Sequence, residues 1–399
     1  MNDWEGGTLG DAVSLQRGTT YRSVLLDKPG PYLLGLASIK RDGGFKRGAL
    51  RTYGGDSPAH LMLEPGDVYV SLKDVTQSGD LLGAVAQVPP DVAAGRLTQD
   101  TVKLIPRSAS IPMDLIYWTL RTPRYRAYCR SRAIGTTNLS LTRDDFLDFS
   151  IPPATAGRMQ LVALLGALED KIESNARITR EARELAVREL WIASVGGPPT
   201  RLGNVAQVQK GLSYKGAGLV PSPDSIPMIN LGNFGRDGWF DRSAMKPYSG
   251  AYQERHLVHG GELVVANTDL TQRRVILGRP ALVPDDVSTA LFTHHVYSIR
   301  PTDADLVVAI WAALNSAAFR ERAEGYATGT TVAALPTDAL LDFEFRVPDE
   351  AAIEYASALL RRAWAAEVES ASLESVREVL IDGLLDSPRR KPEGAEAIA

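Results

Sequence analysis

The constraint that governs this chain is that it is written twice. "TLGDAVSLQRGTTY" (Thr8 to Tyr21) lies over "RLGNVAQVQKGLSY" (Arg201 to Tyr214), with Leu-Gly, Gln, Gly and Tyr in common and Arg17 opposite Lys210. "IKRDGGF" (Ile39 to Phe45) lies over "FGRDGWF" (Phe234 to Phe240). "KDVTQSGDLLGAVAQVP" (Lys73 to Pro89) lies over "TDLTQRRVILGRPALVP" (Thr268 to Pro284), and "GTTNLSLTRDDFLDF" (Gly135 to Phe149) over "GTTVAALPTDALLDF" (Gly329 to Phe343). Four blocks keep one order and offsets of 193 to 195, so two copies of a unit account for almost all of the 399 residues. A period this long is a domain duplication, and each copy is large enough to bury its own core.

Both copies share one grammar. Short β-rich runs such as "VYVSL" and "LVVAN" stand among turn signals, "RDGG", "PGD" and "HGGE". A helical segment comes next in each, "PMDLIYWTLRTPRYRAYCRSR" and "DADLVVAIWAALNSAAFRERAE", then the GTT loop and a long helix. In the first long helix, Leu161, Leu164, Leu168, Ile172, Asn175, Ile178, Ala182 and Leu185 recur at steps of three or four up to the Gly196-Gly197-Pro198-Pro199 stop. The second runs from about Glu350 through Ile353, Ala356, Leu360, Trp364 and Val368 to Leu380 and Leu384. A helix of ~35 residues is ~50 Å long and needs a partner along its length. An antiparallel pair separating two domains supplies one; the plainer alternative lays each helix on its own domain. The expected fold is α/β in the broad sense (α+β), with two β-rich globular units and two long helices in between.

Composition excludes more than it assigns. With 23% charged residues and a net charge of −4, any nucleic-acid surface must be a local patch. A single cysteine, Cys129, forbids an internal disulfide framework and fits a reducing cytoplasm. The N-terminus has no basic and apolar leader pattern, and no apolar run approaches the ~18 residues of a membrane span. No phosphate-cradling G-x-x-x-x-G-K-[ST], no G-x-G-x-x-G after a strand and no G-x-S-x-G is present. His256, His259 and Glu262 have a spacing a metal would accept, but Leu61, Glu64 and Asp67 stand at those places in the first copy. His294 and His295 read as strand or surface histidines. Asp67 and Lys73 in "GDVYVSLK" suggest a nuclease pattern that lacks its second acid. The sequence does not read as an enzyme, and no catalytic or metal residue is expected.

Binding is where the two copies diverge. Around the RDG block the first copy is basic, with Lys40, Arg41, Lys46, Arg47 and Arg51, and the second has Arg236, Trp239 and Arg242. Such side chains neutralise phosphates, and arginine also reaches guanine bidentately. Thr76 and Gln77 match Thr271 and Gln272, but the next three residues are Ser78-Gly79-Asp80 in one copy and Arg273-Arg274-Val275 in the other. Glutamine suits adenine N6/N7, and threonine suits a phosphate or a thymine methyl. The GTT tripeptides, with Thr136, Thr137, Thr330 and Thr331, offer a phosphate cradle or, equally, turn glycines and local caps. "TPRYRAYCRSR" and the arginine before it supply Arg121, Arg124, Arg126, Arg130 and Arg132, either a phosphate-tracking face or a solvated one.

Taken together, "L-G-(D/N)…(R/K)-G…Y", "(K/T)-D-(V/L)-T-Q…L-G" and "G-T-T…L-D-F…P" leading into "LVALLGALEDKIESNARITREARELA" resemble the specificity (S) subunits of type I restriction-modification systems across almost the whole chain, in two copies. The resemblance implies a target recognition domain over 1–156, a spacer helix over 157–196, a second recognition domain over 197–349, a second spacer helix over 350–386 and a disordered tail over 387–399. It implies an antiparallel coiled coil with internal pseudo-two-fold symmetry, and a subunit without catalysis that reads one half of a bipartite double-stranded DNA target with each domain. It also implies two adenine-N6 methyltransferase (M) subunits as partners, often restriction (R) translocase-nuclease subunits, and no membrane. S-adenosylmethionine and ATP/Mg would belong to those partners, with no cofactor in this chain. Expected at the DNA are Arg41, Lys46, Arg47, Lys73, Thr76, Gln77, Thr136 and Thr137 of the first copy, with Arg236, Trp239, Thr271, Gln272, Arg273, Arg274, Thr330 and Thr331 of the second. A DNA-binding or interaction scaffold of another anti-phage defence system on the same fold is the alternative.

Overall fold

The computed structural model describes residues 4–41, 43–48, 50–76, 78–136, 138–235, 238–271, 274–329 and 332–385. It divides into two compact units, residues 1–172 with 372–399, and residues 173–371. Each therefore joins one repeat to parts of both long helices. The tail expected over 387–399 lies outside the described residues.

In the first unit a four-stranded antiparallel sheet runs in the order Val13–Arg17, Thr101–Pro106, Val68–Ser71, Val85–Gln87. The second unit repeats it with Ala206–Lys210, Val296–Pro301, Leu263–Ala266 and Pro280–Leu282. The central strands "VYVS" and "LVVA" are buried at all four positions, as short valine-rich runs covered on both faces should be. Each is entered through a tight turn with glycine at positive φ, Gly66 or Gly261. The turn closes when Asp67 accepts from the Glu64 backbone N–H (2.7 Å), or Glu262 from that of His259 (2.8 Å). A smaller sheet in each unit contains one parallel pairing, Tyr32–Leu34 with Gly95–Leu97 and Ile226–Ile229 with Ala290–Phe292. Largely antiparallel sheets with segregated helices make each unit α+β.

The segment read as one helix after each sheet is two helices. Met113–Thr119 is followed by Pro123–Ser131, and Leu306–Asn315 by Ala317–Tyr326. Thr122 caps the second of the first pair, accepting from the Tyr125 N–H (3.2 Å), with Pro123 at the first helical position. Ser316 caps its counterpart through the Phe319 N–H (3.2 Å).

The long helices are Ala156–Ser194 (39 residues) and Glu350–Asp382 (33 residues). Within the first unit Arg158 donates to the Leu384 carbonyl (2.9 Å), and Arg377 to Glu169 (2.6 Å). Within the second, Asn175 donates to Glu369 (2.8 Å) and Thr179 to the Ala363 carbonyl (3.2 Å). In both, one helix advances as its partner recedes, so they pack antiparallel. The buried seam of the first is Val162, Leu165, Ile172, Asn175, Thr179, Ala182, Ala186 and Leu190. The stripe expected from the sequence is displaced by one residue at several turns, and Leu164 is 48% exposed. The observed seam keeps an average step near 3.5 residues, the coiled-coil value, with Val162 and Leu165 inward. Val368 of the second helix is also exposed. Among the described residues no helix is long and apolar enough to cross a membrane.

Candidate nucleic-acid interface

The Thr-Gln loop of each unit is organised by a buried aspartate two residues before its threonine. Asp74 is fully buried; its Oδ1 accepts from the Thr76 N–H and O–H (both 2.8 Å), and its Oδ2 from the Leu81 N–H (2.6 Å). Asp269 does the same with the Thr271 N–H and O–H (both 2.7 Å) and the Ile276 N–H (2.8 Å). Charge-assisted bonds of this kind are among the stronger in proteins. An arginine grips the far side of each loop. Arg126 donates to the carbonyls of Leu82 and Asp80 (both 2.5 Å), and Arg320 to those of Leu277 and Val275, the latter at 3.3 Å. At the matched loop position stand Gly79 at φ 67° and Arg274 at φ 47°. A left-handed backbone at an arginine is sterically unfavourable and persists only where its surroundings impose it.

A two-residue ladder brings the GTT hairpin beside this loop. Lys73–Asp74 pairs with Leu139–Ser140, and Thr268–Asp269 with Ala333–Ala334. Arg274 further donates to the Gly329 carbonyl (3.3 Å). Two motifs about 60 residues apart in sequence are neighbours in both units. Gly135 and Gly329 sit at positive φ, and a Cβ on them would fall 2.3 Å from the Asn138 carbonyl oxygen and 2.2 Å from that of Val332. They are obligatory turn glycines. Thr136 is exposed at the hairpin tip. At the loop's start Lys73 pairs with Asp100 (3.3 Å); the matched pair in the second unit is the Thr268 hydroxyl with His295 Nδ1 (2.8 Å). Burial first, then His294 and Lys210, hold His295 below the usual histidine range, so this pair is neutral at pH 7.

The basic residues of the first unit divide. Arg41 lies 3.7 Å from Asp80 of the Thr-Gln loop, and its carbonyl accepts from Arg126 (3.4 Å), so its turn adjoins that loop. Lys46 is exposed. Arg47 is held in a bidentate pair by Asp91 (2.7 and 2.8 Å), and Arg51 by Asp27 (2.5 and 3.0 Å). Gln77, Thr137, Arg236, Gln272, Arg273, Thr330 and Thr331 lie outside the described residues.

Two expectations change. Trp239 is buried: its ring stacks on Trp364 at 5.8 Å, Arg183 covers it at 4.1 Å, and its N–H donates to Glu367. No face is left for a base. Arg126 and Arg121 are neither phosphate-tracking nor solvated, because the first is spent on loop carbonyls and the second on Glu169 (3.2 Å). His256 accepts from the Gln253 N–H (3.3 Å) and His259 contacts the Ser288 carbonyl (2.8 Å), so both serve their own turns. The buried aspartates were missed as site residues, although the repeated Asp-x-Thr is the signature of a side-chain-closed turn.

No protein-family model and no curated protein matches the sequence. A solved structure does match the fold. A crystal structure of the S subunit of a type I restriction-modification system from M. genitalium aligns over 97% of both chains, with a TM-score of 0.62 and 13% identity. The HsdS subunit of Thermoanaerobacter tengcongensis aligns over 96% of both chains at 15% identity, with a TM-score of 0.32. A structure describing assembly and conformational transition of a type I system covers 96% of this chain and 98% of its own, at 16% identity and a TM-score of 0.39. Over nearly its whole length this chain is built on the fold of a type I restriction-modification S subunit.

Proposed function

We propose that this chain is the DNA specificity subunit of a type I restriction-modification complex, without catalysis of its own. Each unit reads one half of a bipartite double-stranded target, and the long helices dock adenine-N6 methyltransferase subunits that carry S-adenosylmethionine. Restriction subunits using ATP and Mg would join where the system cleaves. The observation that carries this reading is the duplicated pair of apposed loops: identical anchors, Asp74 and Asp269, hold loops whose intervening residues differ. A shared scaffold with altered contents is what reading two different half-sequences requires. Arg41, Lys46, Lys73, Thr76 and Thr136 of the first unit, with Thr271 and Arg274 of the second, are the described residues assigned to DNA. Arg47 joins them as a phosphate contact by exchanging its exposed partner Asp91, a surface pair of little net strength.

The test is to co-express the chain with the adenine methyltransferase encoded beside it in a methylation-free host and to sequence the modified adenines. One bipartite motif with unread bases between its halves, lost when this chain is omitted, is the expected result. Association of the two proteins without any modified adenine would favour the defence-scaffold alternative.

A further inference from the structure

The matched anchors support a more specific assignment, which rests on the DNA-reading function proposed for the two units. We infer that Asp74 with Arg126, and Asp269 with Arg320, are the positioning residues of the two DNA-reading loops, each pair setting the geometry of one loop and therefore the readout of one half-site.

The two members of each pair act on opposite polarity. The carboxylate collects N–H groups from both ends of the loop, the second of them seven residues beyond the aspartate in each unit. The guanidinium collects carbonyls from its far limb, Asp80 and Leu82 in one unit, Val275 and Leu277 in the other. Backbone groups that would otherwise need water are satisfied internally, which lets the loop stand beside a ligand without collapsing onto the protein. The bonds correspond atom for atom, although the loop contents differ. Gly79 and Arg274 share the left-handed conformation, so the frame imposes the backbone rather than the residue it holds. The frame presents an exposed tip: Val75 at 65% and Leu270 at 63% occupy one matched position, beside Thr76 and Thr271. Apolar contact with a thymine methyl and hydroxyl contact with a base edge or phosphate are the interactions such a tip can make. None of the four positioning residues needs to touch DNA.

Asp74→Asn separates positioning from bulk. The amide keeps an oxygen for Thr76 but turns an NH2 group toward the Leu81 N–H, donor against donor. Asp269→Asn is the same change in the second unit. Full-length chain with its methyltransferase would be tested on DNA libraries randomised in one half-site at a time, with melting temperature measured in parallel. The expected result is about a tenfold loss of discrimination at one half-site, with the other unchanged, and the reverse for Asp269→Asn. An unchanged profile for both variants, or equal loss at both halves tracking a lower melting temperature, overturns the inference. Absence of bipartite modification by the unaltered chain removes the function it rests on instead. Should the asparagine variants not fold, residues 75–80 are exchanged for the sequence of 270–275, leaving both anchors in place. Altered base preference in one half only supports the frame, and an unaltered preference in both halves overturns it.

Discussion

The two units solve one packing problem with opposite chemistry. Where the sheets of the first unit meet its helices, Glu169 accepts from Arg121 (3.2 Å) and Arg377 (2.6 Å), and Arg121 also donates to the Tyr117 hydroxyl (3.0 Å) and lies 4.6 Å over Trp118. Gly44 leaves room for this group, since its Cβ position is 3.6 Å from Arg121 and 3.7 Å from Glu169. At the matched place in the second unit Trp239 stands for Gly44, Asn315 for Arg121 and Arg183 for Arg377, while Trp364 is one residue beyond the match of Glu169. There the contact is a stack, Arg183 on Trp239 on Trp364, with Glu367 taking the indole N–H. The difference teaches that duplication preserves the frame of the Thr-Gln loops more strictly than the seat against the long helices. A seat has only to be filled and satisfied, and ions or rings do that equally well.

That contrast can be broken by removing one member from each side. Trp364→Ala takes away the face on which Trp239 rests, and a buried tryptophan truncated to alanine loses about 3–5 kcal/mol. Chemical denaturation measures the loss, and hydrogen exchange should show it at the amides of 175–190. A loss below about 1 kcal/mol would mean that the stack fills space without holding the unit. Glu169→Ala strands two guanidinium groups whose side chains are only 4% and 12% exposed, so a loss of about 3 kcal/mol is expected. Replacing Glu169 and Arg121 together by methionine should return the share that belongs to Arg121, because that penalty comes from the orphaned charge rather than from the missing bond, while Arg377 stays orphaned. If the double variant is as unstable as the single, the group is worth more as an ion network than the aromatic seat suggests.

These two regions also mark where reading a sequence stops. The repeated frame was legible because both copies need the same residues: Asp74 and Asp269, Gly135 and Gly329 and the buried strands all recur in register. Their roles were less legible than their recurrence. Buried anchors and solvent-facing contacts leave the same trace in one sequence, so Thr76 drew notice while Asp74, which holds it, did not. Trp239 was assigned to DNA because it sits in a block that is basic in the other copy. Only the fold shows that position turned inward onto a helix more than 100 residues away in sequence. The helix seam went astray for a simpler reason. Apolar residues stand side by side at Leu161-Val162 and Leu164-Leu165, and steps of three or four fit either member of each pair, so the sequence alone does not choose between Leu164 and Leu165.

The smallest expected effect distinguishes the seats most cleanly, because their carboxylates shift in opposite directions. Burial alone would raise Glu169, but Arg121 and Arg377 outweigh it and hold the group below the usual carboxylate range. Burial also leads at Glu367, where the Trp239 N–H, Arg242 and Arg183 only partly offset it, and that group stays above the range. A lowered acid contributes stability that is present above its unfolded value and lost as pH falls through its folded value. A raised acid contributes stability that is present below its unfolded value and lost as pH rises through its folded value. Acidifying from neutrality should therefore make the contribution of Glu367 to the second unit more favourable as it takes up a proton, and that of Glu169 to the first less favourable only later. Each is isolated as the difference between parent and variant, because the lowered His256 and His295 cost the second unit stability over the start of the same range. Glu367→Gln keeps an oxygen for the indole N–H and needs no charge, so it should stabilise the chain at pH 7 by at most about 1 kcal/mol and remove the earlier change. Glu169→Gln should remove the later one and destabilise the chain at pH 7. Stability measured against pH for both variants decides the matter: if Glu367→Gln destabilises at neutral pH, its carboxylate is held as an ion by Arg242 and Arg183, and the two seats are electrostatically alike after all.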